Sequence, residues 1–273
     1  YRLYAYFNNV PESGSGEERP INHPPVMKAP TPAQSERLAN LAKLVKDMDA
    51  DIESVVQRNL GSTATMTLME RSWSTALNSS LTDRWEFSDP PAAIKPESGT
   101  KVGVVGKVSY EAGRSTGAVV TNHDSYLDLG SRGDFDNNSA FSFGGWAYSE
   151  DGRGAPFAKM DTANNYRGWD AMLINGVVYV HLINSFPSNT LKAITRTPFP
   201  NKVWNHLFVT YDGSMKPEGL NVYINGKKSE LTFELNSLTA TIKTPVPLTV
   251  GRRTGSEFFN GKVDDLQLFD RAL

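Results

Sequence analysis

The sequence has no cysteine among its 273 residues. This absence excludes disulfides, thiolate catalysis, c-type haem attachment and cysteine-ligated zinc from this chain. It also lacks any apolar run long enough to span a bilayer, so we expect no membrane span. The formal net charge is −2, which provides no general basic surface and argues against nucleic acid as a partner.

The N-terminus, "YRLYAYFNNVPESGSG", has no initiator methionine and no basic start followed by an apolar stretch, so we do not expect it to be a signal peptide. We therefore expect this sequence to be a piece of a longer protein. Residues 1–31 are rich in Pro, Gly, Asn and Glu. This composition predicts an extended leader.

A helical hairpin is predicted over residues 32–80. Thr31 is a plausible N-cap, Pro32 occupies the first helical position, and Gln34 completes a capping-box spacing. A second helix is predicted over 64–79. Apolar residues in the first helix follow the 3-4 spacing of a heptad seam, as in a coiled coil: Leu38, Leu41, Val45, Met48, Ile52 and Val55. We expect self-packing of this seam, with docking or dimerisation in the parent protein as the alternative.

From about Thr82 the pattern changes to short runs rich in Val, Ile, Thr, Tyr, Phe and Trp, separated by turn residues. Asn175-Gly176 and Asn225-Gly226 favour two-residue hairpins of type I′. Many strands without convincing helices between them predict a mainly β fold over 82–273. We expect a two-sheet antiparallel jelly-roll sandwich.

Three segments of this region resemble the laminin G-like, concanavalin A-like lectin/glucanase superfamily. They are "AFSFGGWAYSEDGRGAPFAKMD", "WNHLFVTYDGS…LNVYINGKK" and "PLTVGRRTGSEFFNGKVDDLQLFDRAL". The resemblance implies a jelly roll with a concave and a convex sheet. It also implies that Trp146 and Trp204 pack in the core, because strands of this family keep aromatic residues there.

The same resemblance implies a structural calcium ion at the rim of the sandwich. Asp264 aligns with the Asp of the family's "IDE" segment, Asp265 stands beside it, and Asp124 lies in a segment whose counterpart often contributes ligands. Carboxylates suit a hard cation such as Ca²⁺. The alternative is that these acids cap turns or accept hydrogen bonds from backbone amides.

A second, shorter resemblance involves "YAYFNNVPESG" and "PTPAQSERLANLAKLVKDM". These stretches are similar to the junction in large planctomycete-type cytochrome-associated proteins. The resemblance implies an extracytoplasmic location, periplasmic or cell-surface, with flanking domains as partners. Any haem would belong to another domain, so we expect none in this fragment.

A glycosidase reading finds little support in the sequence. Retaining glycosidases need two carboxyl groups about 5–5.5 Å apart in one groove, and no E-x-D-x-E-like strand occurs. Glu150 and Asp151, like Asp264 and Asp265, are adjacent, so on a strand they would point to opposite faces. We therefore expect no catalytic residues and no enzyme activity.

Glycan binding would use aromatic faces together with polar groups that fix sugar hydroxyls. Tyr179 and His181 alternate with Val178, Val180 and Leu182, so they share one strand face that could line a groove. For Trp169 the alternative is core packing. The residues predicted to bind a ligand are Tyr166, Arg167, Trp169, Tyr179, His181, Phe186 and Phe258.

The sequence thus predicts a non-catalytic module that binds a polysaccharide or other glycan. The first alternative is a structural or protein-interaction module that positions neighbouring domains without binding sugar. A glycoside hydrolase is the third.

Overall fold

A computed structural model describes residues 31–59, 75, 77, 79–88, 92–93, 102–114 and 117–273, with side chains up to residue 51 in the first of these ranges. The chain divides into two compact units, residues 1–70 and 71–273. Each unit is described by itself.

The first unit contains helix α1, Pro32–Asn59. Its start forms the predicted capping box: Thr31 N–H donates to Gln34 Oε1 at 2.9 Å, and Gln34 N–H donates to Thr31 Oγ1 at 3.3 Å. Two orphan amides of the first turn are thereby satisfied. The apolar side chains described on this helix are exposed.

The second predicted helix, over 64–79, lies largely outside the described residues. Thr75, Leu77, Ser79 and Ser80 are helical and lead directly into the first strand. The extended leader predicted over residues 1–31 lies outside the described residues apart from Thr31.

The second unit is a mainly β sandwich of two sheets, as predicted, and every described pairing between strands is antiparallel. Sheet I runs in the order β14-β13-β12-β7-β17-β1-β2, with β5 also paired to β17 and β4 to β5. Its strands are β1 (Leu81–Glu86), β2 (Ala92–Ala93), β4 (Ser109–Ala112), β5 (Gly117–Thr121), β7 (Phe141–Ser149), β12 (Trp204–Tyr211), β13 (Leu220–Ile224), β14 (Lys227–Lys228) and β17 (Gly261–Phe269).

Sheet II runs in the order β15-β11-β10-β9-β8-β16-β6-β3. A single 3₁₀ turn, Pro217–Gly219, precedes β13 within the described chain. The strands of sheet II are β3 (Gly103–Val105), β6 (Tyr126–Asp128), β8 (Gly154–Asp161), β9 (Arg167–Ile174), β10 (Val177–Ser185), β11 (Asn189–Pro198), β15 (Leu231–Asn236) and β16 (Thr249–Val250).

The core lies between the two sheets, and buried side chains alternate with outward ones along its strands. Leu207, Val209 and Tyr211 on β12 are fully buried, as are Leu266 and Leu268 on β17. Both Asn-Gly turns adopt positive φ at both residues, 51° and 73° at Asn175-Gly176 and 52° and 75° at Asn225-Gly226. Type I′ geometry requires this conformation.

The prediction that Trp146 and Trp204 pack in the core is wrong. Both side chains are half-buried on the outer side of sheet I. Trp146 lies opposite His206, and Trp204 lies opposite Tyr148. The residues between them along each strand, such as Ala147 and Leu207, take the inward positions, because successive side chains on a strand point to opposite faces.

Within the described residues, no helix combines the length and the apolar character that crossing a membrane requires.

Candidate functional site

The candidate site lies on the outer side of sheet II and is built on the β9–β10 hairpin. The Asn175-Gly176 turn sets the register of this hairpin, and it places Tyr179 opposite Met172 and His181 opposite Asp170. The alternate residues Val178, Val180 and Leu182 are fully buried in the core. Tyr179 and His181 therefore share the outer face, as predicted.

Asp170, His181 and Arg253 form a buried polar cluster on this face. Asp170 Oδ1 lies 2.8 Å from His181 Nδ1, and Asp170 Oδ2 accepts a hydrogen bond from Arg253 Nε. The three residues are 0%, 5% and 7% exposed, respectively. At such burial a carboxylate requires paired charges and hydrogen bonds.

The charges within this cluster stabilise one another. Burial opposes ionisation of Asp170, but the charges of Arg253 and His181 and their hydrogen bonds outweigh it, so the pKa of Asp170 is lowered from its ordinary value. An ionised carboxylate can only accept hydrogen bonds. His181 Nδ1 therefore carries a hydrogen and donates a hydrogen bond to Asp170. The other ring nitrogen, Nε2, makes no hydrogen bond within the described chain.

Two exposed aromatic side chains stand at one end of this face. Tyr166 is 41% exposed and Phe186 is 42% exposed. Their ring centroids lie 6.0 Å apart in an edge-on arrangement. Tyr166 follows Asn165, and both residues have positive φ, 52° at Asn165 and 60° at Tyr166. A bulky residue rarely adopts this conformation, which is concentrated at functional positions.

Tyr166 and Tyr179 are connected through the polar cluster. The Arg253 guanidinium lies 5.9 Å from the Tyr166 ring, and Arg253 Nη2 is 3.1 Å from His181 Nδ1. The His181 ring stacks on Tyr179 with centroids 6.4 Å apart. The result is a continuous row of side chains, the sheet II strip: Phe186, Tyr166, Arg253, His181 and Tyr179.

Tyr179 is held from both sides. It packs on a small apolar cluster of Ala155, Ala158 and Met172, and Lys192 Nζ lies 5.2 Å from its ring. Lys192 in turn pairs with Glu234 at 2.6 Å. The strip therefore combines aromatic rings with polar groups on one sheet. Two salt bridges pair the charges on this face: Asp170 with Arg253, and Lys192 with Glu234.

Three residues that the sequence predicted for the site lie elsewhere. Trp169 is 1% exposed, and its Nε1 donates to Gly133 O at 2.8 Å, so it belongs to the core, which matches the alternative of core packing. Arg167 shares the strand side of Trp169, and its Nε donates to the Asn184 carbonyl. Phe258 packs against His123 and Arg252.

The three predicted calcium ligands are not brought together. Asp264 accepts a hydrogen bond from the Arg114 backbone N–H at 2.7 Å, Asp265 pairs with Arg84, and exposed Asp124 bonds to His123. Among the described residues no group of three or more His, Asp or Glu side chains could hold a metal ion. The three acids therefore do not form the calcium site that the resemblance implied. Asp264 instead accepts a hydrogen bond from a backbone amide, which is the alternative role given in the sequence analysis.

The sequence prediction missed two residues of this site: Arg253, which belongs to the strip, and Asp170, which lies beneath it. Asp170 could have been found by counting back from the Asn175-Gly176 turn, since a two-residue hairpin pairs residue 170 with 181. Arg253 follows β16, 72 residues from His181, and no local signal connects the two.

A sequence-family profile described as the concanavalin A-like lectin/glucanases superfamily matches residues 121–273. No curated protein matches the sequence.

Solved structures show the same fold at low sequence identity. The binding domain of Paraclostridial Mosquitocidal Protein 1 is 20% identical with a TM-score of 0.57, and the match covers 72% of this chain and 50% of that one. The botulinum neurotoxin serotype D/C binding domain is 15% identical with a TM-score of 0.52 and the same coverages. The chain thus matches about half the length of each toxin domain.

A third similar structure is domain 4 of AbnA, a GH43 extracellular arabinanase from Geobacillus stearothermophilus, in complex with arabinotriose. It is 19% identical with a TM-score of 0.49, and the match covers 71% of this chain and 94% of that one.

Proposed function

Because this chain belongs to the concanavalin A-like lectin/glucanase superfamily, we propose that it is a non-catalytic glycan-binding module whose site is the sheet II strip. Membership of a fold family does not by itself give a function, since the same fold carries different sites. The proposal therefore depends on the chemistry of the strip.

One observation carries the proposal: the strip joins two exposed aromatic rings to a third, half-buried one through fixed polar groups. Aromatic rings offer apolar faces to the C–H surfaces of a sugar, and Tyr adds a hydroxyl. The hydroxyls of Tyr166 and Tyr179 can form hydrogen bonds with sugar hydroxyls. Because the salt bridges of this face pair its buried charges, the ligand class that it favours is a neutral polysaccharide.

The strip offers poor support for hydrolysis. Asp170, the carboxylate at its floor, is committed to His181 and Arg253 and its pKa is lowered, whereas a general acid needs a raised pKa. A retaining glycosidase also needs a second carboxyl group about 5–5.5 Å away.

The wider context of the module is part of the proposal. We predict an extracytoplasmic, cytochrome-associated parent protein with flanking domains as partners, on the sequence resemblance alone. A structural calcium ion also stays a prediction, and its ligands would differ from the three acids considered above.

Affinity electrophoresis through gels that contain a neutral polysaccharide, such as arabinan or xylan, tests the proposal. Y166A and F186A should each weaken binding about tenfold, which corresponds to about 1.4 kcal/mol. Y223A on the outer side of sheet I is the matched control and should bind like the wild type. Runs with calcium and with a chelator test the metal prediction in the same assay.

Failure of the wild type to bind any neutral polysaccharide in the panel, with or without calcium, would count against the module. Equal loss of binding in Y166A and Y223A would place the site away from the strip.

A second candidate function is supported by helix α1. Leu38 and Val45 are each 58% exposed and Met48 is 55% exposed, and they lie on the predicted heptad seam. An exposed apolar seam is typical of a helix that packs against another helix. If α1 serves as an interaction element, L38E/V45E should abolish association of the fragment with a neighbouring domain in a pull-down, without changing glycan binding.

A further inference from the structure

The outer side of sheet I carries an aromatic surface that the strip does not use. Two strands, β7 and β12, place aromatic rings at successive outward positions, and β13 adds one more. All six side chains are half-buried. We name this surface the sheet I patch: Trp146, Tyr148, Trp204, His206, Phe208 and Tyr223.

The patch is continuous because its members are cross-strand neighbours. His206 pairs with Trp146 and Trp204 with Tyr148, with ring centroids 5.1 Å and 5.8 Å apart. Phe208 stacks on His206 with centroids 5.8 Å apart and an interplanar angle of 9°, and it lies opposite Tyr223.

The composition of this face differs from that of an ordinary solvated sheet and from that of an apolar protein contact. The outer face of an antiparallel sheet is normally polar. On β7, β12 and β13 the remaining outward positions are Ser142, Gly144, Thr210 and Asn221, with no aliphatic side chain among them; Ser142, Gly144 and Thr210 are buried, and Asn221 is half-buried. Aromatic rings offer apolar faces to the C–H surfaces of a sugar chain; because rings are also enriched at protein contacts, the test below includes self-association as an outcome.

The charges around the patch are complementary to an anion. Arg114 is exposed, and its guanidinium lies 5.2 Å from the Trp146 ring; Lys228, also exposed, lies opposite Tyr223 on the same side of the sheet. In the described part of the chain neither cation forms a salt bridge. Lys262 lies 5.2 Å from the Tyr148 ring, but Glu111 neutralises it.

The carboxylates on this face are already engaged. Asp264 lies opposite Trp146, is fully buried, and accepts the Arg114 N–H. Asp265 is 8% exposed and accepts hydrogen bonds from Arg84 and Gln267. Burial lowers the pKa of His206, although Asp265 acts in the opposite direction. The charge that the patch offers to a ligand is therefore that of Arg114 and Lys228.

We propose that the sheet I patch is a second glycan-binding surface, and that it takes an acidic polysaccharide whose carboxylate or sulfate groups meet Arg114 and Lys228 while its sugar rings lie on the aromatic side chains. The proposal is independent of the sheet II strip, which favours a neutral glycan. A module with both surfaces would hold two different polymers at once, from opposite sheets.

Binding to polygalacturonate, alginate and dextran sulfate at low salt tests the proposal, with fully methyl-esterified polygalacturonate as the uncharged comparison. The wild type should bind at least one acidic polymer. R114Q/K228Q should weaken that binding about tenfold, and W204T should weaken it to a similar extent. Added salt should weaken it further, because exposed charges are screened.

Two controls make the result specific. R153Q/K243Q removes the same charge from two exposed positions outside the patch and should bind within about twofold of the wild type. Y166A, which removes a ring from the strip, should leave binding of the acidic polymer unchanged. Near-UV circular dichroism of each variant separates loss of the site from loss of the fold.

Several results would overturn the proposal. These are a wild type that binds none of the three acidic polymers, an equal loss in R114Q/K228Q and R153Q/K243Q, or a W204T variant that folds and binds normally. Concentration-dependent self-association that W204T abolishes, without acidic-polymer binding, would assign the patch to a protein contact. Loss of neutral-glycan binding in Y166A tests the strip separately, so the two proposals fail independently.

Discussion

Replacement of Asp170 by asparagine tests the polar cluster beneath the strip, because it removes one charge and little volume. Asp170 is fully buried and accepts hydrogen bonds from His181 and Arg253. Asparagine has one acceptor oxygen and one donor group. In D170N its amide N–H would face either the His181 Nδ1–H or the Arg253 N–H, and the Arg253 charge would lose its counterion.

Breaking a buried ion pair by removal of one partner costs about 3–5 kcal/mol. For a urea slope of about 2 kcal/mol per molar, a loss of 3 kcal/mol lowers the unfolding midpoint by about 1.5 M. Urea unfolding followed by tryptophan fluorescence measures this shift. The matched control is E234Q, on the same sheet: the Glu234 side chain is 48% exposed, and a surface pair contributes only about 0–1 kcal/mol.

The pH dependence of this difference follows from the lowered pKa of Asp170. A carboxyl group with a lowered folded-state pKa contributes stability above its unfolded pKa of about 3.9. That contribution is lost as the pH falls through the folded-state pKa. The difference between the wild type and D170N should therefore persist down to about pH 4 and decline below it.

A midpoint for D170N within 0.5 M of the wild type would refute the reasoning, since it would mean that the cluster carries little net energy. A double mutant supplies the second check. If the uncompensated Arg253 charge causes the loss, D170N/R253M should be more stable than the sum of the two single losses predicts. Strict additivity would contradict this account.

Two further predictions concern the core and the sheets. Lys159 is 2% exposed, and burial lowers its pKa, so between the folded-state pKa and the unfolded value of 10.5 the unfolded chain binds more protons than the folded one. Urea unfolding should therefore show that the wild type gains stability relative to K159M between pH 7 and pH 10. A stability difference between the two proteins that does not change with pH would contradict this prediction. A Cβ at Gly144 would lie 2.2 Å from the Leu207 carbonyl oxygen, whereas one at Gly226 meets no atom within 4 Å. Thermal unfolding should therefore show a much larger loss of stability for G144A than for G226A, whose positive φ costs about 1–2 kcal/mol. Similar losses would contradict the steric argument.

Local patterns predicted the elements of this protein well. The capping box at Thr31 and Gln34, the positive-φ turns at Asn175-Gly176 and Asn225-Gly226, and the strand face shared by Tyr179 and His181 all follow from interactions within a few residues. Such interactions can be predicted from a sequence, because hydrogen-bond geometry and side-chain alternation repeat along the chain. The mainly β class follows from the same patterns, whereas the superfamily was identified by the resemblance of three segments.

The site was predictable only in part. Tyr179 and His181 were predicted to share a strand face, whereas Tyr166 and Phe186 were candidate ligand residues without a predicted position relative to that face. Trp169 was a candidate ligand residue with core packing as the alternative. Because Trp169 and Asp170 are adjacent on a strand, one of them points inward, and counting from the Asn175-Gly176 turn would have identified Trp169 as that residue.

By itself, the sequence determined which segments become strands, where two hairpins turn and which side chains share a strand face, because these properties depend on near neighbours. Only the tertiary structure decided which strands meet. The pairing of β12 with β7 brings His206 beside Trp146, and the segment after β16 delivers Arg253 to Asp170. Pairings between distant strands depend on packing of the whole core, so both ligand surfaces proposed for this protein were completed by contacts that local sequence does not encode.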